Sequence, residues 1–452
     1  MKLFGSSGIR GIANVEVTPL LAQKVGAAIA SQFEGGAIIV GRDTRTTGEM
    51  LEAALTSGIV SCGFVAGTLG ITPTPVVAWL TREMEAEAGV SISASHNPPE
   101  YNGFKVFDSM GMAYTQEQQQ RLEEIIEEGR FETSSWEMVG RVEQMDAGRL
   151  YIDAVAQSIG FTMDWKVACD LFNGATCTIA PEAFEEMGCD ATLINAQPDG
   201  YFPAGNPEPT KESLERLGRM VKASGARIGF GFDGDGDRMM AVDEGGTIPS
   251  PDRVLALYAR YVVEANKGGV VITHVGASMC VNEAVEKVGG SVVRTKVGDV
   301  YITEAMIEHE AVFGGEPVGA WVHPEVNLCP DGILSALKLM AALDVEGKNL
   351  SEALKDISDY PTLRTKVECP DLDKGKAMEG VSSSYGSGFG EVKEVSTVDG
   401  VRMELEDGWV LIRPSGTEPI LRITVEARSD KRAEELLNAS RELVIGILGG
   451  KR

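Results

Sequence analysis

The stretch GGAIIVGRDTRTTG, residues 35–48, contains the unit from which we expect most of this fold to be built. Four apolar residues, 37–40, follow two glycines and precede a third, a pattern typical of a buried strand that ends in a loop. A helical pattern then runs from about residue 49 to 62. A strand followed by a loop and a helix predicts a βαβ unit of a mostly parallel sheet.

The same unit recurs twice along the chain, and the C-terminal part differs from it. Apolar runs at 165–171 and 270–273 each lead through a glycine-containing loop into a helical pattern. After the linker candidate DYPT, four strand patterns and one helix follow, at 363–369, 401–405, 409–413, 421–427 and 431–448. The sequence therefore predicts related α/β units and then a small α+β domain.

The charge balance limits the partners of this chain. Its 452 residues include 41 Lys and Arg against 67 Asp and Glu, a net charge of −26. Such a surface repels nucleic acid and anionic membranes, so an anionic substrate has to be held by locally placed cations. Seven cysteines without a CxxC pair, no apolar leader and no long apolar run predict a cytoplasmic protein without zinc or disulfides.

A serine follows one of the predicted strands directly. In SASHNPPEYNGFK, residues 93–105, the apolar run at 89–94 leads straight into Ser95 and His96. The two prolines exclude a helix, so Ser95 is predicted on a loop at the carboxyl end of a strand, where ligands bind. His96 and Lys105 are the nearby groups that could activate its hydroxyl. A solvated turn is the alternative.

Three aspartates, Asp233, Asp235 and Asp237, follow another predicted buried strand in FDGDGDR. Carboxylates this close repel each other unless a divalent cation lies among them, and hard oxygen ligands suit Mg²⁺ or Ca²⁺. An EF-hand would use Glu244 as its twelfth residue, but Arg238 stands where that loop needs glycine. An acidic turn without metal is the remaining alternative.

Four further segments carry candidate ligands for a phosphate or for sugar hydroxyls. In RPSGTEP, Arg413, the Ser415 and Thr417 hydroxyls and the amides near Gly416 could surround a phosphate, unless this is only a polar hairpin loop. In GGEPVGAW, the Glu316 carboxylate could accept two sugar hydroxyls. The arginines of FGSSGIRG and GRDTR, which are Arg10, Arg42 and Arg45, either touch phosphate or form structural ion pairs.

In this order, SASHNPPEYNGFK, FDGDGDR, GGEPVGAW and RPSGTEP resemble segments of the α-D-phosphohexomutases, which include phosphoglucomutases, phosphomannomutases and phosphoglucosamine mutases. The resemblance covers essentially the whole chain and is strongest to archaeal-type members. It implies three related α/β domains with mixed, mostly parallel sheets and a small C-terminal α+β domain around one cleft. We expect domains at 1–150, 151–250, 251–360 and 361–452, which contribute the phosphoserine, metal-binding, sugar-binding and phosphate-binding loops.

The resemblance also implies phosphoryl transfer through a phosphate carried on Ser95. One Mg²⁺ per chain would be bound by that phosphate and the three aspartates, and a hexose bisphosphate would prime the enzyme. The phosphoryl group would pass to a hexose 1- or 6-phosphate, and the bisphosphate intermediate would turn around and return its other phosphate. Lys105 resembles the general base, with a pKa that Arg10 helps to lower, and Arg238 would offset charge on the transferring group.

The substrate residues implied lie in the third and fourth domains, and they are Lys296, Asp299, Glu316, His323, Arg413, Ser415, Gly416, Thr417 and Arg422. In many members a serine and a histidine stand where this chain has Val318 and Ala320, and His323 is the candidate replacement. The segment TKVGDVY, residues 295–301, resembles the specificity loop of phosphoglucosamine mutases. The carboxylate of Asp299 there would favour an amino sugar.

The resemblance leaves several points open. Glucosamine 6-phosphate is the expected substrate, and a broad phosphoglucomutase/phosphomannomutase activity is the alternative. A phosphatase that uses Asp233 as its nucleophile, or a calcium- or sugar-binding module without catalysis, would leave several of these motifs unexplained. The expected partner is a phosphosugar, without nucleic acid or membrane, and the chain is either a monomer or a homodimer.

Overall fold

The computed structural model of the chain describes residues 3–5, 8–384, 388–416 and 418–449, and their strands form four sheets. Each sheet takes its strands from one continuous part of the chain. The sheets combine parallel and antiparallel pairs in the first three parts and are wholly antiparallel in the last. The predicted fold class, α/β with mixed sheets and a C-terminal α+β part, is confirmed.

The first sheet has seven strands, which are β1 (Phe4–Gly5), β2 (Gly8–Ile12), β3 (Ala37–Arg42), β4 (Val65–Ile71), β5 (Ala88–Ile92), β6 (Tyr101–Asp108) and β7 (Val142–Gln144). Its order is β1-β2-β6-β5-β3-β4-β7. The helices of this part are α1 (Pro19–Ala30), α2 (Gly48–Ser61), α3 (Thr74–Glu83), α4 (Gln116–Glu128) and α5 (Gly148–Ile159). Because β3 and β5 are parallel neighbours, the loops that follow them leave the same edge of the sheet.

The second sheet has four strands, which are β8 (Lys166–Asp170), β9 (Asp190–Ile194), β10 (Ile228–Phe232) and β11 (Met239–Val242), in the order β11-β10-β8-β9. A 3₁₀ turn (Ala175–Thr178) and the helices α6 (Ala180–Glu186) and α7 (Glu215–Ser224) accompany it. β10 is parallel to β8 and antiparallel to β11. The tight turn between β10 and β11 therefore lies at the carboxyl edge of the sheet.

The third sheet repeats this plan with the strands β12 (Gly269–His274), β13 (Gly290–Thr295), β14 (Phe313–Gly315) and β15 (Trp321–Val322), in the order β13-β12-β14-β15. Its helices are α8 (Pro251–Asn266), α9 (Met279–Glu286), α10 (Asp299–Glu308), α11 (Gly332–Glu346) and α12 (Leu350–Ala353), followed by a 3₁₀ turn (Leu354–Asp356). α8 begins at Pro251. The ends of β13 and β14 again open at one edge, where Asp299 and Glu316 follow.

The fourth sheet consists of β16 (Thr362–Glu368), β17 (Val392–Ser396), β18 (Val401–Leu405), β19 (Gly408–Pro414) and β20 (Ile420–Ala427), in the order β16-β20-β19-β18-β17. The helices α13 (Asp371–Ser384) and α14 (Asp430–Ile447) cover it. The division of the chain at 150, 250 and 360 stays a prediction.

The apolar cores show which parts of the molecule are packed together. One core cluster joins α3 and α5 of the first part to both of the following sheets, and it includes Trp79, Tyr151, Phe230, Phe313 and Leu337. The fourth sheet has its own core, and a small cluster of Val275, Trp409 and Leu411 joins it to the third. Among the described helices, none has the length and hydropathy that crossing a lipid bilayer requires.

Candidate functional site

Ser95 lies three residues beyond the end of β5 in a strained backbone conformation. Its φ of 52° is in the left-handed region, which costs a residue with a side chain roughly 1–2 kcal/mol. The Ser93 Oγ accepts the Ser95 N–H at 2.8 Å, and the Ser95 Oγ donates to the Asp233 Oδ2 at 2.7 Å. The His96 Nδ1 is 3.2 Å from the same hydroxyl oxygen. The turn therefore points the hydroxyl of Ser95 at the aspartates of the second sheet.

The buried side chain of Arg45 holds this turn in place through its backbone carbonyls. Its side chain and that of Asp43 are fully buried, and they form an ion pair of 2.9 Å. The guanidinium also donates to four backbone carbonyls of the serine loop, which belong to Ser95, Asn97, Pro98 and Tyr101. Of the two roles considered for these arginines, phosphate contact and a structural ion pair, Arg45 has the second. Arg42 likewise forms ion pairs, with Glu49 and Glu52.

The three aspartates meet at the turn between β10 and β11. Gly236 adopts a φ of 75°, and one carboxylate oxygen from each aspartate lies within 4.8 Å of the others. The Oδ1 atoms of Asp235 and Asp237 are buried without a hydrogen-bond partner. Unpartnered oxygens among gathered carboxylates fit a hard divalent cation, so this group could hold a metal ion. Strands flank it and Glu244 binds Ser351, which excludes the EF-hand.

Thr74 holds Asp235 in place, although no sequence pattern singles this threonine out. At the N-terminus of α3, its hydroxyl donates to the Asp235 Oδ2 at 2.6 Å, and its N–H donates to the Asp235 carbonyl at 2.8 Å. Its hydroxyl is also 2.7 Å from the Ser91 Oγ on β5. The TPTP sequence around it resembles an ordinary helix start, so only the tertiary structure reveals this contact.

Lys105 projects from β6 into the aspartate group. Its Nζ lies 2.7 Å from the Asp235 Oδ2 and 2.5 Å from the Asp237 Oδ2. Burial lowers the pKa of this ammonium, but the two carboxylates outweigh burial and raise it above its usual value. The expected lowering of the Lys105 pKa is therefore wrong for this arrangement, because the effect of Arg10 is smaller than that of Asp235 or Asp237.

Burial and neighbouring charges shift the pKa values of Asp233, Asp235 and His96 in different directions. Burial first, and then its aspartate neighbours, raise the pKa of Asp233 well above its ordinary value. Burial opposes the shift of Asp235, yet the Lys105 ammonium holds the pKa of that carboxyl below its usual range. Burial and the charges of Arg238 and Arg10 lower the pKa of His96 to about 4, so its ring is neutral at pH 7.

Three arginines around the aspartate group and in the fourth sheet have a buried donor that no described protein group accepts, a feature that Arg260 of α8 shares. The Nε atoms of Arg10, Arg238 and Arg413 are buried and have no hydrogen-bond partner. An unpaired buried donor is costly, and phosphate oxygens are the acceptors that guanidinium groups fit best. The backbone N–H of Arg238 also donates to the Asp233 Oδ1 at 3.1 Å, which ties this arginine to the turn between β10 and β11.

Glu316 follows β14 and is 6% exposed. Its Oε1 accepts the N–H of Gly298 at 2.9 Å, which connects it to the segment before α10. Burial, followed by the nearby Asp299 charge, raises the pKa of Glu316 to about 7. Asp299 is the first residue of α10, and Lys296 is exposed with its Nζ 5.4 Å from the Tyr301 ring centre.

The RPSGTEP segment connects β19 to β20. Arg413 stands directly opposite Arg422 in the strand register, and the exposed Arg422 pairs with Glu418. Ser415 is buried at the start of the loop, and Gly416 is exposed. The Lys374 ammonium of α13, which the sequence did not single out, donates to the carbonyls of Ser415 and Glu418. Thr417 lies outside the described residues.

His323 does not join these groups. It is 2% exposed, and it packs against the rings of Tyr258 and Phe313. Its Nε2 is 3.0 Å from the Ser335 Oγ, and its Nδ1 is 3.4 Å from the Tyr258 hydroxyl. With both ring nitrogens in contact with protein groups, His323 is assigned to the core of the third part of the chain, and the expectation that it replaces a lost sugar contact is corrected.

Comparisons with known proteins cover the whole chain. Residues 1–133, 149–246 and 250–360 match the families described as phosphoglucomutase/phosphomannomutase α/β/α domains I, II and III, and residues 365–443 match the C-terminal domain. A probable phosphoglucosamine mutase of Pyrococcus abyssi is 43% identical over 98% of each chain, and a phosphoglucosamine mutase of Methanocaldococcus jannaschii is 42% identical over 98% of each.

A solved structure agrees with these matches. The crystal structure of a phosphoglucomutase/phosphomannomutase family protein from Burkholderia thailandensis superposes with a TM-score of 0.90 at 28% identity. The superposition covers 100% of this chain and 98% of that one. All four sheets of the present chain are therefore found together in a solved relative.

Proposed function

Because this chain belongs to the phosphoglucomutase/phosphomannomutase family, we propose that it interconverts hexose 6-phosphate and hexose 1-phosphate by way of a phosphate on Ser95. Glucosamine 6-phosphate, converted to glucosamine 1-phosphate, is the substrate we assign to it. The relatives named phosphoglucosamine mutase support this choice, since they are similar over nearly the whole length.

One observation carries the proposal. The Ser95 hydroxyl is 2.7 Å from a carboxylate oxygen of Asp233, in a group where Lys105 and three aspartates lie together. A hydrolase that used Asp233 as its nucleophile would leave the strained turn and the Arg45 clamp of Ser95 without a purpose. A serine held rigidly among these carboxylates is suited to carry a phosphate, because phosphoryl transfer depends on alignment and charge neutralisation.

The aspartates are the residues that would hold a metal ion. We propose that Asp233, Asp235, Asp237 and the Ser95 phosphate hold one Mg²⁺, which would supply charge neutralisation at the transferring group. Arg238 and Arg10 would add guanidinium groups, and the Nε of each is buried without a hydrogen-bond partner. The Arg238 Nε also lies 3.8 Å from the Asp237 Oδ1. His96 is neutral, so it contributes a hydrogen-bonding ring near Ser95 rather than a charge.

Lys105 is placed to exchange a proton with the sugar hydroxyl. Its raised pKa favours the ammonium form, which suits the direction in which phosphate returns to Ser95 and the sugar oxygen regains a proton. In the opposite direction the ammonium would first have to lose a proton before its nitrogen could accept the one from the sugar hydroxyl. We propose that Glu316 binds ring hydroxyls and that Arg413, Ser415, Gly416, Thr417 and Arg422 hold the phosphate that is not transferred.

The remaining assignments follow from the same proposal. Lys296 and Asp299 flank the sugar, and Asp299 would favour an amino group on it. A hexose bisphosphate primes the unphosphorylated enzyme. The location is cytoplasmic, and the chain acts as a monomer or a homodimer.

A broad phosphoglucomutase/phosphomannomutase is the second candidate. Val318 is 44% exposed beside Glu316, and it offers no hydroxyl contact where many relatives have serine. With fewer polar groups to leave unpaired, the site would discriminate less strongly between glucose, mannose and glucosamine.

The test is a side-by-side assay of purified enzyme primed with glucose 1,6-bisphosphate. Glucosamine, glucose and mannose 1-phosphates are offered at equal concentration with Mg²⁺, and phosphate on Ser95 is located by mass spectrometry. We expect the highest kcat/KM for glucosamine 1-phosphate, and no turnover by Ser95→Ala. Comparable values for all three sugars would favour the broad enzyme, and full activity of Ser95→Ala would contradict the phosphoserine mechanism.

A further inference from the structure

A carboxylate outside every motif joins the phosphate loop to the third part of the chain. Asp399 lies in the turn between β17 and β18. Its Oδ2 is 2.5 Å from the Arg413 Nη2 and accepts the N–H of Val297 at 3.2 Å. Both side chains are partly shielded from water, with 21% of Asp399 and 32% of Arg413 exposed. One oxygen atom thus connects the proposed phosphate ligand with the segment at 295–301.

The segment at 295–301 is held from two sides. The N–H of Val297 donates to Asp399, and the N–H of the next residue, Gly298, donates to Glu316. Gly298 has a φ of 134°, so this segment makes a sharp change of direction before α10 begins at Asp299. Because two consecutive amides donate to the carboxylates of Asp399 and Glu316, the position of Asp299 relative to Glu316 is restricted.

Asp399 also controls how Arg413 presents its donors. The ion pair occupies the Nη2, while the buried Nε stays without a partner. An arginine side chain has several rotatable bonds, and an ion pair on one edge of the guanidinium restricts the direction of the others. The carboxylate therefore orients Arg413 before any phosphate arrives, which reduces the entropy lost on binding.

The docking of the fourth sheet does not depend on Asp399. The Arg402 guanidinium donates to the Val275 carbonyl, and Val275 packs against Trp409 and Leu411. The Arg428 Nη2 pairs with Glu283 at 2.8 Å. Because these contacts hold the two parts together elsewhere, removing the Asp399 carboxylate should change the site more than the stability.

We propose that Asp399 is a positioning residue that couples the phosphate ligand Arg413 to the specificity segment 295–301. This inference rests on the proposed function, and it adds a residue that none of the recognised motifs contains. Loss of the carboxylate frees Arg413 and Val297 together. Sugar phosphates then bind more weakly, while the chemistry at Ser95 keeps its geometry.

The test compares Asp399→Ala, Asp399→Asn and the control Glu394→Ala in the full-length enzyme. Glu394 is an exposed carboxylate on β17 of the same hairpin. We expect Asp399→Ala to raise KM for hexose 1-phosphate about tenfold, the size of one lost charge-assisted contact, with kcat within about twofold of wild type. Asp399→Asn keeps an oxygen acceptor and should recover most of the lost affinity, and Glu394→Ala should match wild type.

A second measurement keeps this inference separate from the proposed function. Hydrogen exchange at the Val297 amide should become faster in Asp399→Ala than in wild type or Glu394→Ala, whether or not a substrate is known. A wild-type enzyme that turns over no hexose phosphate would overturn the proposed function, and the exchange result would still judge Asp399. Unchanged exchange at Val297, or a fall in kcat with KM unaltered, would overturn the role of Asp399.

Discussion

Arg45 shows how much one buried residue contributes to the serine loop. It neutralises Asp43 and binds four carbonyls of the turn that presents Ser95. In Arg45→Met, the Asp43 carboxylate would stay buried without its counter-charge. We expect the free energy of unfolding to fall by about 3–5 kcal/mol, measured by urea denaturation at pH 7.

The matched control is the double variant Asp43→Asn/Arg45→Met. It removes the stranded charge, so its loss of stability should be clearly smaller than that of Arg45→Met alone. A loss below about 1 kcal/mol in the single variant would show that the buried pair contributes as little as a surface ion pair.

Thr74 is a second residue whose effect can be isolated. Thr74→Val keeps the shape of the side chain but removes the hydroxyl that binds the Asp235 Oδ2. We expect Mg²⁺ affinity to fall on the order of tenfold, measured by titration calorimetry of the unphosphorylated enzyme. Thr81→Val is the control, since that buried hydroxyl of the same helix donates only to the Val77 carbonyl. Equal affinities in both variants would contradict a role for Thr74 in orienting Asp235.

At the scale of elements, α11 begins at a cap whose charge is sensitive to pH. Asp331 accepts the N–H of Leu334, and the Tyr151 hydroxyl of α5 donates to it at 2.8 Å. Burial raises the pKa of Asp331 to about 6 from an ordinary 3.8. The folded state therefore binds the proton of the Asp331 carboxyl more tightly than the unfolded state does. Protonation of Asp331 stabilises the fold fully below about pH 4, and this contribution is lost as the pH rises through 6.

Asp331→Asn keeps a capping oxygen without the ionisation. Relative to this variant, the unfolding free energy of wild type should fall by about 2 kcal/mol between pH 4 and 7. Urea denaturation across that range measures the difference. A constant difference between the two proteins would mean that Asp331 titrates normally.

The elements also show where sequence patterns predict structure well. The strand predicted at 401–405 has those bounds, and the final helix runs Asp430–Ile447 against a prediction of 431–448. The sequence pattern does not reveal the helix α13, because only Ala377 and Val381 of its residues are buried and two glycines interrupt it. A helix with so narrow an apolar face leaves little periodicity to detect.

The residues of the candidate site also differ in whether a sequence pattern indicates them. Ser95, the three aspartates and Glu316 could be found because each follows a strand, where a polar cluster has no role in the core. Thr74 and Asp399 could not, since their partners lie far away in sequence and an isolated Thr or Asp in a turn is ordinary. The direction of the Lys105 pKa shift is not predictable from the sequence for a related reason, because it depends on carboxylates that follow a strand of another sheet.

For the whole molecule, the distribution of the cores predicts how it unfolds. One core links the first three parts, whereas the fourth sheet has its own core and a small shared cluster. We expect calorimetry to resolve two transitions, one of them from the part that begins near residue 361. A single transition, with equal calorimetric and van't Hoff enthalpies, would contradict this.

The hydrogen bond between Ser95 and Asp233 crosses from the first sheet to the second, and Gly234 packs against the Ser95 carbonyl so closely that an added Cβ would lie 2.7 Å from that oxygen. The Ser95 loop and the turn that contains Asp233 and Gly234 must therefore fit each other closely. In a chimaera that takes residues 1–133 from one relative and the rest from another, the two sides of this contact come from different parents. Crossovers that keep the two sheets from a single parent should be the ones that preserve activity in a shuffled library.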